Sequence, residues 1–282
     1  MKFGIFSFNT DYGMRPDKLA VALEDRHFES LWVGEHTHIP ANRQTPYPGG
    51  RELPRPYYHM IDPFMSLMAA ASVTTKLKLA TGICLAVERD AITLAKEVAS
   101  LDLLSNGRVL FGVGGGWNAE EMENHGTPFS RRWKILRETI EAMQQIWTEE
   151  EASYAGEFVN FDRIISYPKP VQKPHPPIIY GGSTRQGLKR IVRYCDGWLP
   201  FDVMGDDLER LSIELREQAE RAERDPNSIS ISVFCFAKPD AAKIEHYRRL
   251  GAERVILVAP RQPDALLAYL DSFTALREEF AD

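Results

Sequence analysis

The sequence predicts an α/β protein of one domain, a (β/α)8 TIM barrel that occupies residues 1–282. Short apolar runs alternate with helix-like segments eight times, which is the unit count of this barrel. The apolar runs are continuous, as is typical of parallel strands buried on both faces. Because an open doubly wound sheet seldom contains eight such regular units, the pattern favours the closed barrel.

The composition indicates a soluble protein that acts on small molecules. A hydrophobic content of 44% and a charged content of 26% are those of a globular chain long enough for one large domain. The formal net charge of −6 offers no basic surface of the kind that nucleic acids or anionic membranes require. Cys84, Cys195 and Cys235 suggest neither a disulfide framework nor a metal motif. With no export signal and no apolar stretch near the roughly 20 residues of a membrane span, we expect a cytoplasmic location.

The first two strands are separated by a helix and followed by a long loop. Residues 3–8 form the first strand, and Pro16 begins the first helix, where its missing N–H costs nothing. Residues 31–35 form the second strand, and residues 37–61 follow as a loop with five prolines and several aromatic side chains. A loop of this length is functional or disordered. Its aromatic residues favour a loop that acts as a lid and covers a site. The alternative is that these side chains only pack on the protein surface.

The third and fourth strands end in glycine. Residues 77–83 form the third strand and residues 109–113 the fourth, after which Gly114, Gly115 and Gly116 precede Trp117. So many glycines are expected only where the backbone takes unusual dihedrals or another group approaches it closely. A bound cofactor is one explanation, and a tightly packed strand-to-helix turn is the other.

The rest of the chain completes the alternation after one interruption. A small hairpin at residues 154–161 and a proline-rich stretch precede the fifth strand, and they form an excursion from the barrel. The fifth to eighth strands are residues 178–180, 197–200, 228–236 and 254–258, and the last three helices are residues 205–224, 239–250 and 263–280. Five helices have predicted N-caps, at Asp62, Asp90, Asn118 (with Glu121 as its capping-box partner), Ser130 and Ser183.

Chemistry in such a barrel is expected at the C-terminal ends of the strands. His36 and His38 follow the second strand, but a metal site there would need further His or Asp ligands at other strand ends, and those ends carry glycine or proline. We therefore predict no metal. No pair of carboxylates suits glycoside hydrolysis, and Ser183 lacks the frame of a nucleophile elbow. Glycine-rich ends with little acid-base machinery favour a cofactor that carries the chemistry itself.

At this point the sequence resembles the luciferase-like flavin and deazaflavin oxidoreductases, and within them the short members assigned to coenzyme F420. The resemblance covers essentially the whole chain, and its most specific part is the run from residue 95 to residue 117. It rests on Glu35-His36, Thr81-Gly82-Ile83, residues 94–108, Gly112-Val113-Gly114-Gly115-Gly116-Trp117, Gly181-Gly182 and Asp196-Gly197-Trp198.

The resemblance implies roles for these residues. Thr81, Gly82 and Ile83 match the place where family members bulge the third strand against the cofactor ring, often through a non-proline cis peptide. The cofactor would also contact Gly114, Gly115, Gly116 and Trp117, with its phosphate at Gly181, Gly182 and Ser183, where a helix N-terminus favours an anion. Glu35 and His36 match an Asp-His pair that contacts cofactor and substrate in a deazaflavin-dependent sugar-phosphate dehydrogenase. Trp117 stands where that enzyme has an acid, which argues against sugar-phosphate oxidation here.

The leading hypothesis is an oxidoreductase that transfers hydride between coenzyme F420 and a small organic substrate, with His36 as the proton donor or acceptor. The first alternative is a two-component monooxygenase that uses FMNH2 from a separate reductase and molecular oxygen. Further alternatives are a non-catalytic flavin-binding barrel and the metal hydrolase weighed above. The resemblance also implies a homodimer, and the sequence identifies no particular substrate.

Overall fold

Eight parallel strands close into a barrel in the computed structural model, which describes residues 1–50, 52–202, 208–260 and 262–280. Around the barrel the order is β1-β10-β9-β8-β7-β4-β3-β2, and the two remaining strands, β5 and β6, pair as an antiparallel hairpin. The strands are β1 (Lys2–Ser7), β2 (Ser30–Val33), β3 (Lys78–Thr81), β4 (Val109–Val113), β5 (Ala152–Ala155), β6 (Asn160–Ile164), β7 (Ile178–Gly181), β8 (Gly197–Leu199), β9 (Ser230–Cys235) and β10 (Arg254–Val258).

Helices connect successive barrel strands. They are α1 (Pro16–Asp25), α2 (Pro63–Ala71), α3 (Ala91–Leu104), α4 (Ala119–Asn124), α5 (Arg132–Thr148), α6 (Arg185–Tyr194), α7 (Leu208–Arg221), α8 (Ala241–Arg249), α9 (Pro263–Asp271) and α10 (Thr274–Glu279). Short 3-10 helices lie at Arg55–Tyr58, Ala86–Glu88, Phe129–Arg131 and Pro226–Ser228. No helix within the described ranges is long and apolar enough to cross a membrane.

The barrel interior is filled by one side chain from each barrel strand. These eight residues form a separate buried cluster: Phe6, Trp32, Ala80, Leu110, Ile179, Leu199, Phe234 and Ile256. The larger core lies between the strands and the surrounding helices. Since both faces of the strands are covered, their sequences are continuous apolar runs, and β4 is buried at every position.

The predicted fold is confirmed. The strands close in the expected parallel barrel, and β4 and β10 have the predicted bounds. The hairpin is present between α5 and β7, with Ala155 paired to Asn160. Asp62 and Asp90 cap α2 and α3 as predicted, since each side chain accepts backbone N–H groups of the first turn.

Three of the predicted side-chain caps do not form, although Asn118 occupies the predicted N-cap position. The side chain of Asn118 accepts no backbone N–H of α4 but donates to the Glu121 carboxylate, so the capping box does not form. Ser130 lies inside the 3-10 helix that runs into α5, and Arg131 occupies the N-cap position. Thr184, not Ser183, caps α6, because the Ser183 hydroxyl accepts the N–H of Phe201 instead.

Two helix predictions also differ from the structure. The helix predicted at residues 263–280 is divided at Ser272 and Phe273 into α9 and α10; Phe273 is fully buried there. The helix predicted at residues 205–224 is described only from Leu208 onward, and its first three positions lie outside the described residues.

The loop after β2 crosses the open end of the barrel. It contains the 3-10 helix Arg55–Tyr58 and returns to the barrel at Met60, which bridges to Thr10. The N–H of Ile61 donates to Asn9. On the other side of the opening, the Glu120 carboxylate accepts the N–H groups of residues 44 and 45 at 2.9 and 3.1 Å. The loop is therefore joined to two separate βα connections.

Candidate active site

A mainly apolar cavity of about 180 Å³ opens at the C-terminal ends of the strands. That volume suits a small substrate or one edge of a larger ring system. Its wall consists of Phe6, Phe8, Gly34, Glu35, His36, Tyr57, Met60, Gly82, Ile83, Leu85, Gly116, Trp117, Phe201, Phe234, Phe236 and Val258. A larger open cleft, about 860 Å³, lies on the outer face between α6 and α7 and is lined largely by charged side chains. We place the candidate site in the barrel mouth, because that is where the strand ends converge.

His36 lines this cavity and is held by a buried carboxylate. Its Nδ1 lies 2.6 Å from Oε2 of Glu121, and the two side chains are 7% and 0% exposed. The rings of Tyr57 and Trp117 contact the imidazole at centroid distances of 5.3 and 5.6 Å. Because Nδ1 of His36 is directed at Glu121, Nε2 is the ring nitrogen that can form a hydrogen bond with a ligand in the cavity.

Glu121 is the site residue that the sequence reasoning missed. Its Oε1 is buried and has no hydrogen-bond partner among the described residues, while Oε2 also accepts from the amide of Asn118 at 3.3 Å. The available signal was an acidic residue one turn into the helix that follows the glycines of β4. The same spacing is that of a capping box, so the sequence pattern does not indicate the contact with His36.

The carboxylate of Glu35 is directed to Leu85 and Arg89. Its Oε2 accepts the N–H of Leu85 at 2.6 Å, and its Oε1 accepts Nε of Arg89 at 2.7 Å. Arg89 also binds Asp62 and Glu97, at 2.7 and 3.0 Å. Burial alone would lower the pKa of Arg89, but Glu35 and its other partners raise that pKa. Glu35 thus fixes the start of the segment after β3 through an ion-pair network.

Ile83 projects between two glycines of neighbouring strands. The Gly82–Ile83 peptide bond is cis, as the resemblance implies. A Cβ on Gly114 would lie 2.3 Å from Cδ1 of Ile83, and one on Gly181 would lie 2.5 Å from its Cγ2. Gly114 and Gly181 are therefore required for packing around Ile83, which explains part of the glycine pattern without any ligand.

The other predicted site residues fall into two groups. Gly82, Ile83, Gly116 and Trp117 line the cavity together with Glu35 and His36. Six residues do not line it. Three of them are Thr81, which donates to the carbonyl of Gly112 at 2.7 Å, Gly114, and Gly115, where a Cβ would lie 2.5 Å from the Trp133 ring. Gly181, Gly182 and Ser183 lie at the end of β7, beside the mouth but outside the cavity wall.

The end of β7 has the features of an anion site. Gly182 has φ of +146°, a conformation that side chains other than glycine rarely adopt. Thr184 accepts the N–H of Gly187, and within the described residues the N–H groups of Arg185 and Gln186 have no acceptor. Free N–H groups at a helix N-terminus attract anions.

Two arginines stand near this end of β7. The guanidinium groups of Arg132 and Arg190 lie 5.0 and 4.0 Å from the centre of the Trp133 ring, and both charges act to lower the pKa of Tyr180, although burial raises it overall. No carboxylate of the described chain pairs with either guanidinium. Nη1 of Arg132 donates to the carbonyl of Phe129 at 2.9 Å, and its Nε is buried without a partner in the described residues. Burial and the charge of Arg190 lower the pKa of Arg132. An anion here would relieve this repulsion.

His38, in the loop after β2, is hydrogen-bonded through both ring nitrogens. Nδ1 of His38 lies 3.0 Å from the hydroxyl of Thr37, and its Nε2 lies 2.9 Å from the amide of Asn124, so its ring is engaged apart from that of His36. Within the described parts of the chain, no group of three His, Cys, Asp or Glu side chains is placed to hold a metal ion.

A parallel barrel whose mouth combines an aromatic cavity, a buried imidazole–carboxylate pair and an anion-attracting strand end is typical of TIM-barrel enzymes that bind a phosphorylated cofactor. Comparison with known proteins gives the family. The chain belongs to the luciferase-like monooxygenase family, whose model matches residues 1–278. It is accordingly an enzyme of that family.

Three relatives illustrate the range of the family. An uncharacterized protein of Mycobacterium tuberculosis is 42% identical over 284 residues, with 98% of each chain covered. An FMNH2-dependent dimethylsulfone monooxygenase of Pseudomonas putida is 29% identical over 201 residues, which cover 70% of this chain and 53% of that enzyme. The structure of an F420-dependent secondary alcohol dehydrogenase, in complex with an F420-acetone adduct, superposes with a TM-score of 0.80 at 18% identity and covers 100% of this chain and 99% of the other.

Proposed function

We propose that this protein transfers hydride between the deazaflavin F420 and a small organic substrate, and that His36 exchanges the accompanying proton. The observation that carries the proposal is the imidazole of His36 in the wall of the cavity, with its Nδ1 at 2.6 Å from the buried carboxylate of Glu121. A buried carboxylate fixes the tautomer of such an imidazole and stabilises its protonated form.

The residues present fit a tricyclic cofactor with a phosphate. The cavity has an apolar, aromatic wall for one edge of a flat ring, with Gly82, Ile83 and Gly116 in that wall. Gly182 and the first N–H groups of α6 would hold the phosphate, and Arg132 and Arg190, which form no ion pair with a carboxylate of the described residues, would supply positive charge beside it. The cofactor would then lie across the strand ends between His36 and β7.

The deazaflavin would supply a ring carbon that accepts or donates a hydride. When a substrate hydroxyl is oxidised, its carbon loses a hydride with the electron pair of the C–H bond, and Nε2 of His36 accepts the hydroxyl proton. In the opposite direction His36 returns the proton. Glu121 holds the ring in place and stabilises the imidazolium during this step. Glu35 acts as a positioning residue through Leu85 and Arg89.

We further propose that the loop of residues 37–61 is a lid. Tyr57 lies in the cavity wall, and its ring contacts those of Phe8 and His36 at 5.4 and 5.3 Å. Tyr47 contacts Trp117 at 5.7 Å from the other side of the opening. These aromatic contacts would exclude water from a substrate held under the loop.

The second candidate is a monooxygenase that takes FMNH2 from a separate reductase, and the similarity to the dimethylsulfone monooxygenase favours it. The fold serves both cofactors. The buried His36–Glu121 pair favours hydride transfer, because that reaction needs a group for one proton at the substrate hydroxyl. A homodimer remains a prediction for either candidate.

Titration of the purified protein with F420 and with FMN, followed by fluorescence quenching, tests the proposal. We expect F420 to bind at least tenfold more tightly than FMN, and F420 absorbance to fall when a panel of small alcohols is added under nitrogen. Preferential FMN binding, together with oxygen consumption when a flavin reductase and NADH are supplied, would establish the monooxygenase instead. The variant Arg190→Ala should weaken binding of the phosphorylated cofactor but not of its dephosphorylated form.

A further inference from the structure

A second buried carboxylate, that of Glu88, feels the charge of Glu121, the partner of His36. Glu88, at the end of the 3-10 helix Ala86–Glu88, is 1% exposed, and neither carboxylate oxygen has a hydrogen-bond partner in the described chain. Oε1 of Glu121 and Oδ1 of Asn118 are also buried and unpartnered. Four unpartnered buried polar atoms of the described residues thus belong to Glu88, Asn118 and Glu121; Asn118 is hydrogen-bonded to Glu121, and the charge of Glu121 acts on Glu88. Such atoms are costly in a folded protein and need an explanation.

The charges around Glu88 make it an acid that keeps its proton. Burial raises its pKa to about 9, with the charges of Glu121 and Glu35 acting in the same direction and that of Arg89 against them. The remaining titratable group that faces it is His125, whose Nε2 lies 3.7 Å from Oε2 of Glu88. Glu88 is therefore protonated at neutral pH, beside a glutamate that binds His36.

His125 connects this acid to solvent. Its side chain is 28% exposed, and its Nε2 lies 2.8 Å from the hydroxyl of Thr37, which in turn lies 3.0 Å from Nδ1 of His38. Burial and the positive charge of His38 lower the pKa of His125, while Glu121 and Glu35 act against them. Exposure of the side chains along the series His36, Glu121, Glu88 and His125 is 7%, 0%, 1% and 28%.

We propose that Glu121, Glu88 and His125 form a proton relay between His36 and solvent. The relay rests on the proposed role of His36. When a hydroxyl is oxidised, His36 passes its proton to the carboxylate of Glu121. Because no direct hydrogen bond joins Glu121 to Glu88 or Glu88 to His125, water bound by the unpartnered oxygens would carry the proton across these two gaps. Glu88 releases its own proton to His125 and takes up one from Glu121, and His125 releases a proton to water. No electrons move and each group ends as it began. Reduction of a substrate runs the same series inward. A relay is needed because the loop of residues 37–61 covers the direct route from His36.

Infrared spectroscopy of the protein without any cofactor tests whether Glu88 is protonated. We expect a protonated carboxyl C=O band at pH 7 that is lost in Glu88→Gln and titrates with a midpoint near the value of about 9 given above. Glu138→Gln is the matched control, because Glu138 is equally buried but accepts the N–H groups of Phe158 and Val159, so the band should persist. A wild-type protein without this band, or a band that survives Glu88→Gln, would overturn the relay.

Turnover with F420 tests the pathway. We expect Glu88→Gln and His125→Gln to lower kcat by about tenfold or more, with KM and F420 affinity within twofold of wild type, and added imidazole to restore turnover in His125→Gln. A merely structural role would alter KM and would not be rescued. Unchanged kcat in both variants would overturn the relay. If the wild type binds no F420, the proposed function fails while the infrared result still decides whether Glu88 holds a proton.

Discussion

Replacing Glu88 by glutamine should change how stability depends on pH. Burial raises the pKa of Glu88 from 4.5 to about 9 in the folded protein, whereas the unfolded chain keeps the ordinary value. Between these two values the folded state binds more protons than the unfolded state. The contribution of this group to stability is therefore complete below pH 4.5 and is lost as the pH rises toward 9.

The size of the effect follows from the two pKa values. In the unfolded wild type Glu88 ionises above its pKa of 4.5, whereas in the folded protein it stays protonated up to about pH 9. At pH 7, about 2.5 pH units above the unfolded pKa, ionisation therefore favours the unfolded state by about 3 kcal/mol, at 1.36 kcal/mol per unit. Glutamine cannot ionise, so the variant does not lose this stability. The free energy of unfolding of Glu88→Gln minus that of wild type should therefore increase by about 3 kcal/mol between pH 4 and pH 7.

Urea unfolding of both proteins at half-unit steps of pH measures this difference. Glu138→Gln again serves as the control, and its difference should have the opposite sign. Although burial acts to raise the pKa of Glu138, the N–H groups of Phe158 and Val159 lower it overall. The wild type is then stabilised above the unfolded pKa and loses that stability as the pH falls. A pH-independent difference for Glu88→Gln would show that Glu88 is ionised in the folded protein and would refute the reasoning.

Three further predictions concern the proposed function. His36→Ala should bind F420 within a few-fold of wild type but lose about 10²–10⁴-fold in kcat and one limb of the pH profile; collapse of affinity with retained turnover would show a binding role instead. Gly182→Asp should abolish F420 binding in equilibrium titrations, because it places a negative charge at the α6 N-terminus. Gly182→Ala has the same backbone penalty at φ of +146° but no charge, so the difference between the two variants measures the effect of the charge. Limited proteolysis of residues 37–61 should slow when F420 and substrate are both present, and unchanged cleavage would remove the lid role.

The polar partners of the site could not be read from the sequence. Glu121 meets His36 across 85 residues, and Glu35, the carboxylate next to His36 in the chain, is directed to Arg89. Adjacent residues of a strand end point in different directions, so proximity in sequence misassigned the carboxylate. The capping residue of α6 was misassigned for a similar reason. The hydroxyl of Ser183 accepts the N–H of Phe201, at the end of the neighbouring strand β8, and therefore does not cap α6.

What the sequence determined by itself is the set of properties that depend on near neighbours in the chain. Hydrophobic periodicity specified the strands and their burial on both faces, aspartates before helices specified two caps, and the count of units specified the barrel. It also placed His36 at a strand end. The tertiary structure alone decided which side chains meet at the mouth, because closure of the barrel brings β2, β3 and β4 side by side. Only then do the buried carboxylates of Glu121 and Glu35 act on Glu88, whose pKa burial and these charges raise, and only then does Glu121 meet His36.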